Sequence, residues 1–267
     1  MRRLFLAGAI IVGSVAFAWA DYLDGLAAYQ RSDYAAALRE WKPLAEQGHA
    51  EAQLNLGLMY LQGQGLLQDK TEAAKWYRMA AEQGHAEAQV MLGTMYQEGS
   101  GVPQDYAEAL KWYGLAATQG LAVAQVNLGY MYAEGLGVSR DYAEAARWFR
   151  MAAQQGHADA QYNLGTIYAD GLGRPQNYSQ AAEWFRKAAE QGSAKAQARL
   201  GAHYADGAGV PQDHVQAHMW LNLAAANLPP GKFRDLAVVG RDKVADRMTS
   251  EQIAEAQRLA REWKPKK

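Results

Sequence analysis

Residues 85–120 read HAEAQVMLGTMYQEGSGVPQDYAEALKWYGLAATQG, and near copies of this stretch recur along the chain. Five glycines and five tryptophans share the same 36-residue spacing: Gly57, Gly93, Gly129, Gly165 and Gly201, with Trp76, Trp112, Trp148, Trp184 and Trp220. A repeat period of roughly 20 to 50 residues is typical of stacked arrays, in which each unit buries its apolar face against its neighbours. The repeat therefore predicts one continuous array, and it favours a binding role over a catalytic one.

The first half of the repeat has the apolar periodicity of a helix, which we call helix A. Its stripe is formed by Ala86, Ala88, Leu92 and Tyr96. Gly93 lies on this stripe, where a glycine costs about 1 kcal/mol relative to alanine. Because this glycine returns in all five copies, we expect a neighbouring helix to approach too closely there for a side chain.

The second half predicts another helix, helix B, which begins after a glycine-rich turn. Gly99 can take the left-handed conformation that ends helix A, and Asp105 with Glu108 has the spacing of a capping box. The other copies keep this pair as Asp69 with Glu72, Asp141 with Glu144, Asn177 with Gln180, and Asp213 with Gln216. The predicted buried stripe of helix B, in which the Trp fills the gap between layers, is Ala109, Trp112, Ala116 and Ala117.

At these residues the chain resembles the Sel-1-like repeat (SLR) family, a branch of the tetratricopeptide superfamily. The motif is Ala-x-Ala-Gln-x-x-Leu-Gly-x-x-Tyr, followed by Gly-x-Gly-Val-Pro-Gln-Asp and by Ala-x-x-Trp-(Tyr/Phe)-x-x-Ala-Ala-x-Gln-Gly. Residues 86–120 fit it nearly throughout, and the resemblance covers about residues 33–228. It implies an all-α fold, a right-handed α-solenoid of antiparallel helix pairs.

The repeat register divides the chain into segments. Five copies occupy residues 49–228, at 49–84, 85–120, 121–156, 157–192 and 193–228. A terminal repeat must shield one face from water, so atypical helices are expected at both ends. We expect an N-terminal capping helix pair at 21–48 and C-terminal capping helices at 229–267, with Thr249 and Gln252 as a capping box. The closing helices either seal the last repeat or provide a docking site.

The first twenty residues have the pattern of a signal peptide. Arg2 and Arg3 precede an apolar run at 4–17, and residues 18–20 (Ala-Trp-Ala) match a small-x-small cleavage site. The alternative is an uncleaved membrane anchor, but a run of about 14 residues is shorter than the roughly 20 that span a bilayer as a helix. We expect cleavage after Ala20, no membrane insertion afterwards, and a periplasmic or secreted mature protein.

The charge balance argues against nucleic acid and anionic lipid as partners. The chain has 27 basic and 28 acidic residues, and loss of Arg2 and Arg3 with the signal peptide would make it more acidic. Such a balance supplies no positive field for phosphate groups. The chain has no cysteine, so an exported form would have neither disulfides nor a thiol nucleophile.

Helix A positions that vary between copies while staying on one side of the helix are the natural contact surface, because packing does not dictate them. We call this set the helix A face. Its predicted partner-binding members are Leu54, Leu58, Leu61, Val90, Thr94, Gln97, Val126, Tyr130, Tyr162 and Thr166. The resemblance implies that these positions line a concave groove, where Tyr130 and Tyr162 would act as anchors. The alternative is that these side chains only pack within the array.

Acidic residues precede the glycine turn in four copies. They are Glu98, Glu134, Asp170 and Asp206, with Gln62 in the remaining copy. An acid at a helix C-terminus opposes the macrodipole, so something must compensate it. We expect hydrogen bonds to the backbone of the next repeat, with a cationic ligand as the alternative.

Three histidines of the last copy form the only weak metal candidate. His214 and His218 share a helix face at i and i+4, and His203 lies in the preceding helix. However, His203 replaces a Met or Ile of the other copies and His214 replaces a Tyr. Substitution within the packing is the simpler interpretation, so we expect neither a metal nor another cofactor.

The sequence favours a binding protein rather than an enzyme. It contains no Ser-x-x-Lys, Gly-x-Ser-x-Gly or His-Glu-x-x-His motif. Our hypothesis is an exported scaffold or adaptor that binds a protein or peptide in the groove. The resemblance implies envelope regulation or assembly, since exported family members include inhibitors of sensor kinases and scaffolds for surface polysaccharide export.

Two alternatives remain open for the function. The groove could hold a glycan strand of the cell wall or of an exopolysaccharide. The chain could also bind or hydrolyse β-lactams, an activity that the resemblance links to an exported, cysteine-rich branch of the family. That branch joins its helix pairs by disulfides, which this chain lacks.

Overall fold

The computed structural model describes residues 19–266, and all regular structure in that range is helical. Residues 19–30 are helical and are called α1. The helices that follow are α2 Tyr34–Glu46, α3 Ala50–Gln62, α4 Lys70–Glu82, α5 Ala86–Glu98, α6 Tyr106–Thr118, α7 Ala122–Glu134, α8 Tyr142–Gln154, α9 Ala158–Asp170, α10 Tyr178–Glu190, α11 Ala194–Asp206, α12 His214–Asn227, α13 Lys232–Ala245 and α14 Ser250–Glu262. Most of the predicted signal peptide lies outside the described residues. Within them, no helix combines the length and apolar character that a membrane span requires.

The helices group into two compact units, one that ends at Ala124 and one that starts at Gln125. In the first unit α3 packs on α4 and α5 on α6, and α4 also packs on α5. In the second unit each helix from α8 to α12 packs on the next, and α12 also contacts α13 and α14. Each unit is thus a stack of antiparallel helix pairs, and the predicted all-α solenoid fold class is confirmed.

One glycine in helix A of each repeat is covered by a large side chain of helix B. A Cβ atom built on Gly93 would lie 2.9 Å from the ring of Tyr113, closer than real Cβ atoms come to a neighbour. The equivalent distance is 2.7 Å for Gly57 with Tyr77, Gly129 with Phe149, Gly165 with Phe185, and Gly201 with Leu221. The expected close approach at these glycines is therefore confirmed.

The side chain that covers the glycine is not the Trp of the repeat. Tyr113, the residue after Trp112, lies on Gly93 and is almost completely buried. Trp76 and Trp184 are only half-buried. Trp112, Trp148 and Trp220, in contrast, are 6%, 7% and 6% exposed. The predicted buried stripe of Ala109, Trp112, Ala116 and Ala117 is therefore confirmed, while the residue that follows the Trp covers the glycine.

Helix B starts on an Asp or Asn cap, but not on a full capping box. The Asp105 carboxylate accepts hydrogen bonds from the backbone N–H groups of Ala107 and Glu108, at 2.9 and 3.1 Å. The backbone N–H of Asp105, which a box would give to the Glu108 side chain, donates instead to the carbonyl of Tyr96 at 2.9 Å. Glu108 pairs with Lys111 at 3.1 Å. The prediction for the repeats is therefore confirmed for the Asp cap and wrong for the full capping box. The backbone N–H that the box requires is already bonded within the turn.

The C-terminal helices cover the last repeat incompletely. Thr249 and Gln252 form the predicted box: the N–H of Thr249 donates to the Gln252 amide oxygen at 2.9 Å, and the N–H of Gln252 donates to the Thr249 hydroxyl at 3.3 Å. Trp263 packs edge-to-face on Trp220, with ring centres 6.0 Å apart. Helix α13, in contrast, leaves Phe233 66% exposed.

Candidate functional site

In the first unit the polar members of the helix A face already have partners inside the unit. The Tyr113 hydroxyl donates to Gln97 Oε1 at 2.9 Å and lies 2.9 Å from Thr94 Oγ1. Burial raises the pKa of Tyr113, so its phenol stays protonated. Val90 is only 8% exposed, and the three leucines of the face are half-buried: Leu54, Leu58 and Leu61. Packing within the unit accounts for most of this part of the face.

In the second unit Tyr130 projects from the helix A face and is 41% exposed. Its ring lies edge-to-face on Phe149, with centres 5.4 Å apart. Its hydroxyl accepts a hydrogen bond from Asn163 Nδ2 at 2.7 Å. The ring is held in one position while much of it remains open. Val126, also predicted to meet a partner, is 5% exposed and packs inside.

The other two predicted residues of this unit, Tyr162 and Thr166, are less exposed than Tyr130. Tyr162 is half-buried and leans on Phe185, with ring centres 5.9 Å apart. The hydroxyl of Thr166 donates to the carbonyl of Tyr162 at 3.1 Å, so it is satisfied by its own helix. Tyr162 also borders a cleft that is formed with the helices that follow.

This cleft, of about 480 Å³, opens between α11 and α13. Its apolar lining includes Ala198, Ala202, Ala205, Leu221, Phe233 and Leu236. Ala198 and Ala202 occupy the positions that Tyr162 and Thr166 occupy one repeat earlier. Because these positions hold small side chains, an open cleft remains beside them. We call it the C-terminal cleft.

The border of the C-terminal cleft is basic. Lys195 and Arg199 reach it from α11, Lys243 from α13 and Arg247 from the turn that follows α13, and Asp206 is the one acid among the lining residues. Among residues 19–266, none of the four cations forms an ion pair or a side-chain hydrogen bond. This site is not predicted from the repeat pattern, because α13 lies outside the repeat. The available signal was the helical spacing of Phe233, Leu236, Gly240 and Lys243 along one side of α13.

Comparison with known families assigns the repeat. The Sel1 repeat model matches residues 50–85, 86–121, 122–157, 158–193 and 194–227. The chain belongs to the Sel1 repeat family. The matches cover well over half of the sequence and leave the ends, including α13 and α14, outside the Sel1 repeats.

Solved structures of Sel1 repeat proteins are similar to this chain. A Sel1 repeat protein from Oxalobacter formigenes is 32% identical, with a TM-score of 0.78 over 91% of this chain and 100% of that chain. The protein c5321, a protective antigen present in uropathogenic Escherichia coli strains displaying an SLR fold, is 27% identical, with a TM-score of 0.50 over 91% of this chain and 68% of that one. No curated protein matches the sequence.

The three histidines of the last Sel1 repeat do not form a metal site. His203 Nδ1 lies 2.7 Å from the carbonyl oxygen of Ala208, and its ring packs on Phe185 with centres 5.4 Å apart. In the described part of the chain, no three His, Cys, Asp or Glu side chains are grouped so that they could hold a metal ion. The weak candidate of His203, His214 and His218 is corrected accordingly, since His203 fills a buried packing position.

The acids at the ends of the Sel1 A helices do not form the backbone hydrogen bonds expected of them. All four are exposed, and over residues 19–266 none accepts a hydrogen bond or forms an ion pair: Glu98, Glu134, Asp170 and Asp206. Other groups close the turn: the N–H groups of Gly99 and Ser100 both donate to the carbonyl of Met95, and Gln104 Nε2 donates to the carbonyl of Gln97 at 2.8 Å. The expectation of hydrogen bonds to the next repeat is therefore corrected.

Proposed function

We propose that this Sel1 repeat protein is an exported, periplasmic scaffold that binds a protein or peptide partner through its helix A face, in envelope regulation or assembly. Sel1 repeat proteins bind other proteins and are in general scaffolds rather than catalysts. The signal-peptide pattern of residues 1–20 supports export. N-terminal sequencing of the protein from a periplasmic extract tests that part: the expected first residue is Asp21, and an intact Met1 would contradict it.

The observation that carries the proposal is the exposed, fixed ring of Tyr130. Phe149 and the amide of Asn163 hold it in place, yet 41% of the residue remains exposed. A side chain that is already ordered loses little conformational entropy when a partner binds. Tyrosine also combines a large apolar ring with a polar tip, and it is enriched among residues that dominate interface energies.

Site-specific photocrosslinking tests this binding role in cells that produce the protein. A photoreactive phenylalanine analogue replaces Tyr130, and the same analogue at Tyr178 is the matched control. Tyr178 is an aromatic residue of helix B with nearly the same exposure, 43%. We expect discrete protein adducts from position 130 that are absent from position 178. Equal labelling at both positions, no adduct at position 130, or an adduct with glycan alone would contradict the proposal.

A further inference from the structure

We propose that the C-terminal cleft binds an acidic peptide segment that inserts one large apolar side chain. The inference rests on the proposed function and adds the chemistry of the partner. Tyr130 does not line the cleft, so the two surfaces can be altered separately.

The space in the cleft comes from small residues of α11. Ala198, Ala202 and Ala205 form one wall, and Leu221 of α12 lies against it. The cleft's volume of about 480 Å³ falls within the roughly 300 to 1,000 Å³ of ligand pockets. It can accept a Leu, Met or Phe side chain together with the backbone that carries it.

The opposite wall is apolar and open to water. Phe233 and Leu236 of α13 line the cleft and are 66% and 57% exposed. A helix that closes a repeat array is expected to turn a polar face outward. Two large apolar side chains at the mouth of a cleft therefore indicate a surface that is covered when a partner binds.

The charges of the cleft select an acidic partner. Lys195 and Arg199 are four residues apart on α11, so they share one side of that helix. Lys243 of α13 and Arg247 of the turn that follows α13 also line the cleft. These four cations have no acidic partner in the described part of the chain. The whole chain carries a formal net charge of −1, so the basic cleft contrasts with the rest of the molecule. Electrostatic complementarity of this kind steers association and selects partners.

The arrangement of these groups fits a peptide. An apolar residue in the cleft would have basic side chains on both flanking helices, where carboxylates before and after it in sequence can reach them. Arg199 and Arg247 can each bind a carboxylate with two parallel hydrogen bonds. The cleft is concave, whereas binding to a lipid surface calls for an amphipathic face that lies in the plane of the membrane.

Selection from a random peptide library on the full chain tests the inference. We expect enriched sequences with Asp or Glu on both sides of one large apolar residue. Fluorescence anisotropy with a selected peptide then measures affinity. We expect Arg199→Glu and Arg247→Glu each to weaken binding by about tenfold or more, and Phe233→Ser to do the same. Binding should also weaken as salt is added, because its charged contacts are screened.

Control variants with similar changes outside the cleft show whether a loss of peptide binding is specific to the cleft. Arg234→Glu changes a cation of α13 that does not line the cleft, and Leu67→Ser changes an apolar side chain that is 90% exposed elsewhere. We expect both to bind the peptide as the unchanged chain does. Circular dichroism should show the same Tm for all variants, since the altered side chains are exposed and unpaired.

Other outcomes would overturn the inference. These are selected peptides that are basic or neutral, no enrichment at all, or binding that survives charge reversal in the cleft. Binding of phosphatidylglycerol vesicles in place of any peptide would also overturn it. Tyr130→Ala should leave the peptide affinity unchanged. If the cleft tests fail while crosslinking at position 130 is retained, only the inference about the cleft is refuted. If crosslinking is lost while peptide binding is retained, only binding through the helix A face is refuted.

Discussion

Gln83 donates a hydrogen bond to the buried amide of Gln53 within one helix pair, and that amide in turn donates to the preceding pair. Oε1 of Gln53 accepts from Gln83 Nε2 at 2.7 Å, while Nε2 of Gln53 donates to the carbonyl of Ala45 in α2 at 2.9 Å. The same amide pair recurs as Gln119 with Gln89, Gln155 with Gln125, and Gln191 with Gln161, at 2.8, 2.9 and 2.8 Å. A buried amide that satisfies both ends in this way fixes how one pair sits on the previous one.

The series of amide pairs ends at Gln197, whose buried Oε1 has no partner among the described residues. The position one repeat after Gln191 holds Asn227, which is one methylene shorter. We expect Asn227→Gln to supply the missing donor and to raise the free energy of unfolding by about 1 kcal/mol, measured by urea denaturation. The reverse change, Gln191→Asn, should lower it by a similar amount. If neither variant changes the urea midpoint, the amide pairs add nothing to stability.

The helix A glycines should tolerate no side chain. A Cβ on Gly165 would lie 2.7 Å from the ring of Phe185. The gain in helix propensity of Gly165→Ala, about 1 kcal/mol, is opposed by a clash with a buried ring, for which overpacking costs of about 1 to 3 kcal/mol or more are usual. We expect a net loss of up to about 2 kcal/mol in the free energy of unfolding.

The matched control for this change is Gly114→Ala in α6, where a Cβ would meet no atom within 4 Å. Here only the propensity and the entropy of the unfolded chain count, so stability should rise by up to about 1 kcal/mol. Thermal denaturation of both variants measures the contrast. Equal shifts in the same direction would show that the contact with Phe185 is not what requires a glycine.

The caps of helix B give a third contrast. Asp69 accepts hydrogen bonds from the N–H groups of Thr71 and Glu72 at 2.9 and 3.0 Å, so Asp69→Ala should lower the free energy of unfolding by about 1 kcal/mol. Glu72 pairs only with the exposed Lys75, and Glu72→Ala should cost at most about 0.5 kcal/mol. A full capping box would make the two losses similar. Urea denaturation of the two variants distinguishes these cases.

The repeat spacing was sufficient for the fold and for the glycines. A residue that weakens a helix returns at one position in every copy only where packing requires it, which is why Gly93 could be interpreted correctly. The spacing could not choose between Trp112 and Tyr113, because adjacent helical residues point about 100° apart and both are aromatic. It also showed the acceptor at Asp105 without showing that the N–H of that residue was already bonded to Tyr96.

The C-terminal cleft could not be predicted in the same way. Helix α13 has no counterpart in the repeats, so its side chains cannot be compared in register with equivalents whose role is known. The wall from α11 is made by alanines, which look like ordinary packing residues in a sequence. Only the contact between α11 and α13 makes the absence of larger side chains into a cavity.

His203 should make the stability of the protein depend on pH. Burial, above all, lowers the pKa of His203, and the nearby Arg199 lowers it further. The hydrogen bond with the Ala208 carbonyl and the carboxylates of Asp206 and Asp170 oppose this shift. In the unfolded chain the pKa of a histidine is about 6.5, so below that pH the unfolded state binds a proton that the folded state does not. The contribution of His203 to the free energy of unfolding should be fully present above about pH 6.5. It should be lost as the pH falls toward the pKa of His203 in the folded state.

Replacing His203 by the residue that stands at the equivalent position in other copies isolates its contribution to the pH dependence of stability. His203→Met restores the side chain that the equivalent position has in Met95, and we expect it to reduce the slope of the unfolding free energy against pH between about pH 7 and pH 5. Part of the slope should remain, because burial also lowers the pKa of His218. Urea denaturation over a pH series measures both chains. An unchanged slope in His203→Met would mean that the acid sensitivity arises elsewhere, since methionine cannot bind the proton whose uptake His203 resists in the folded state.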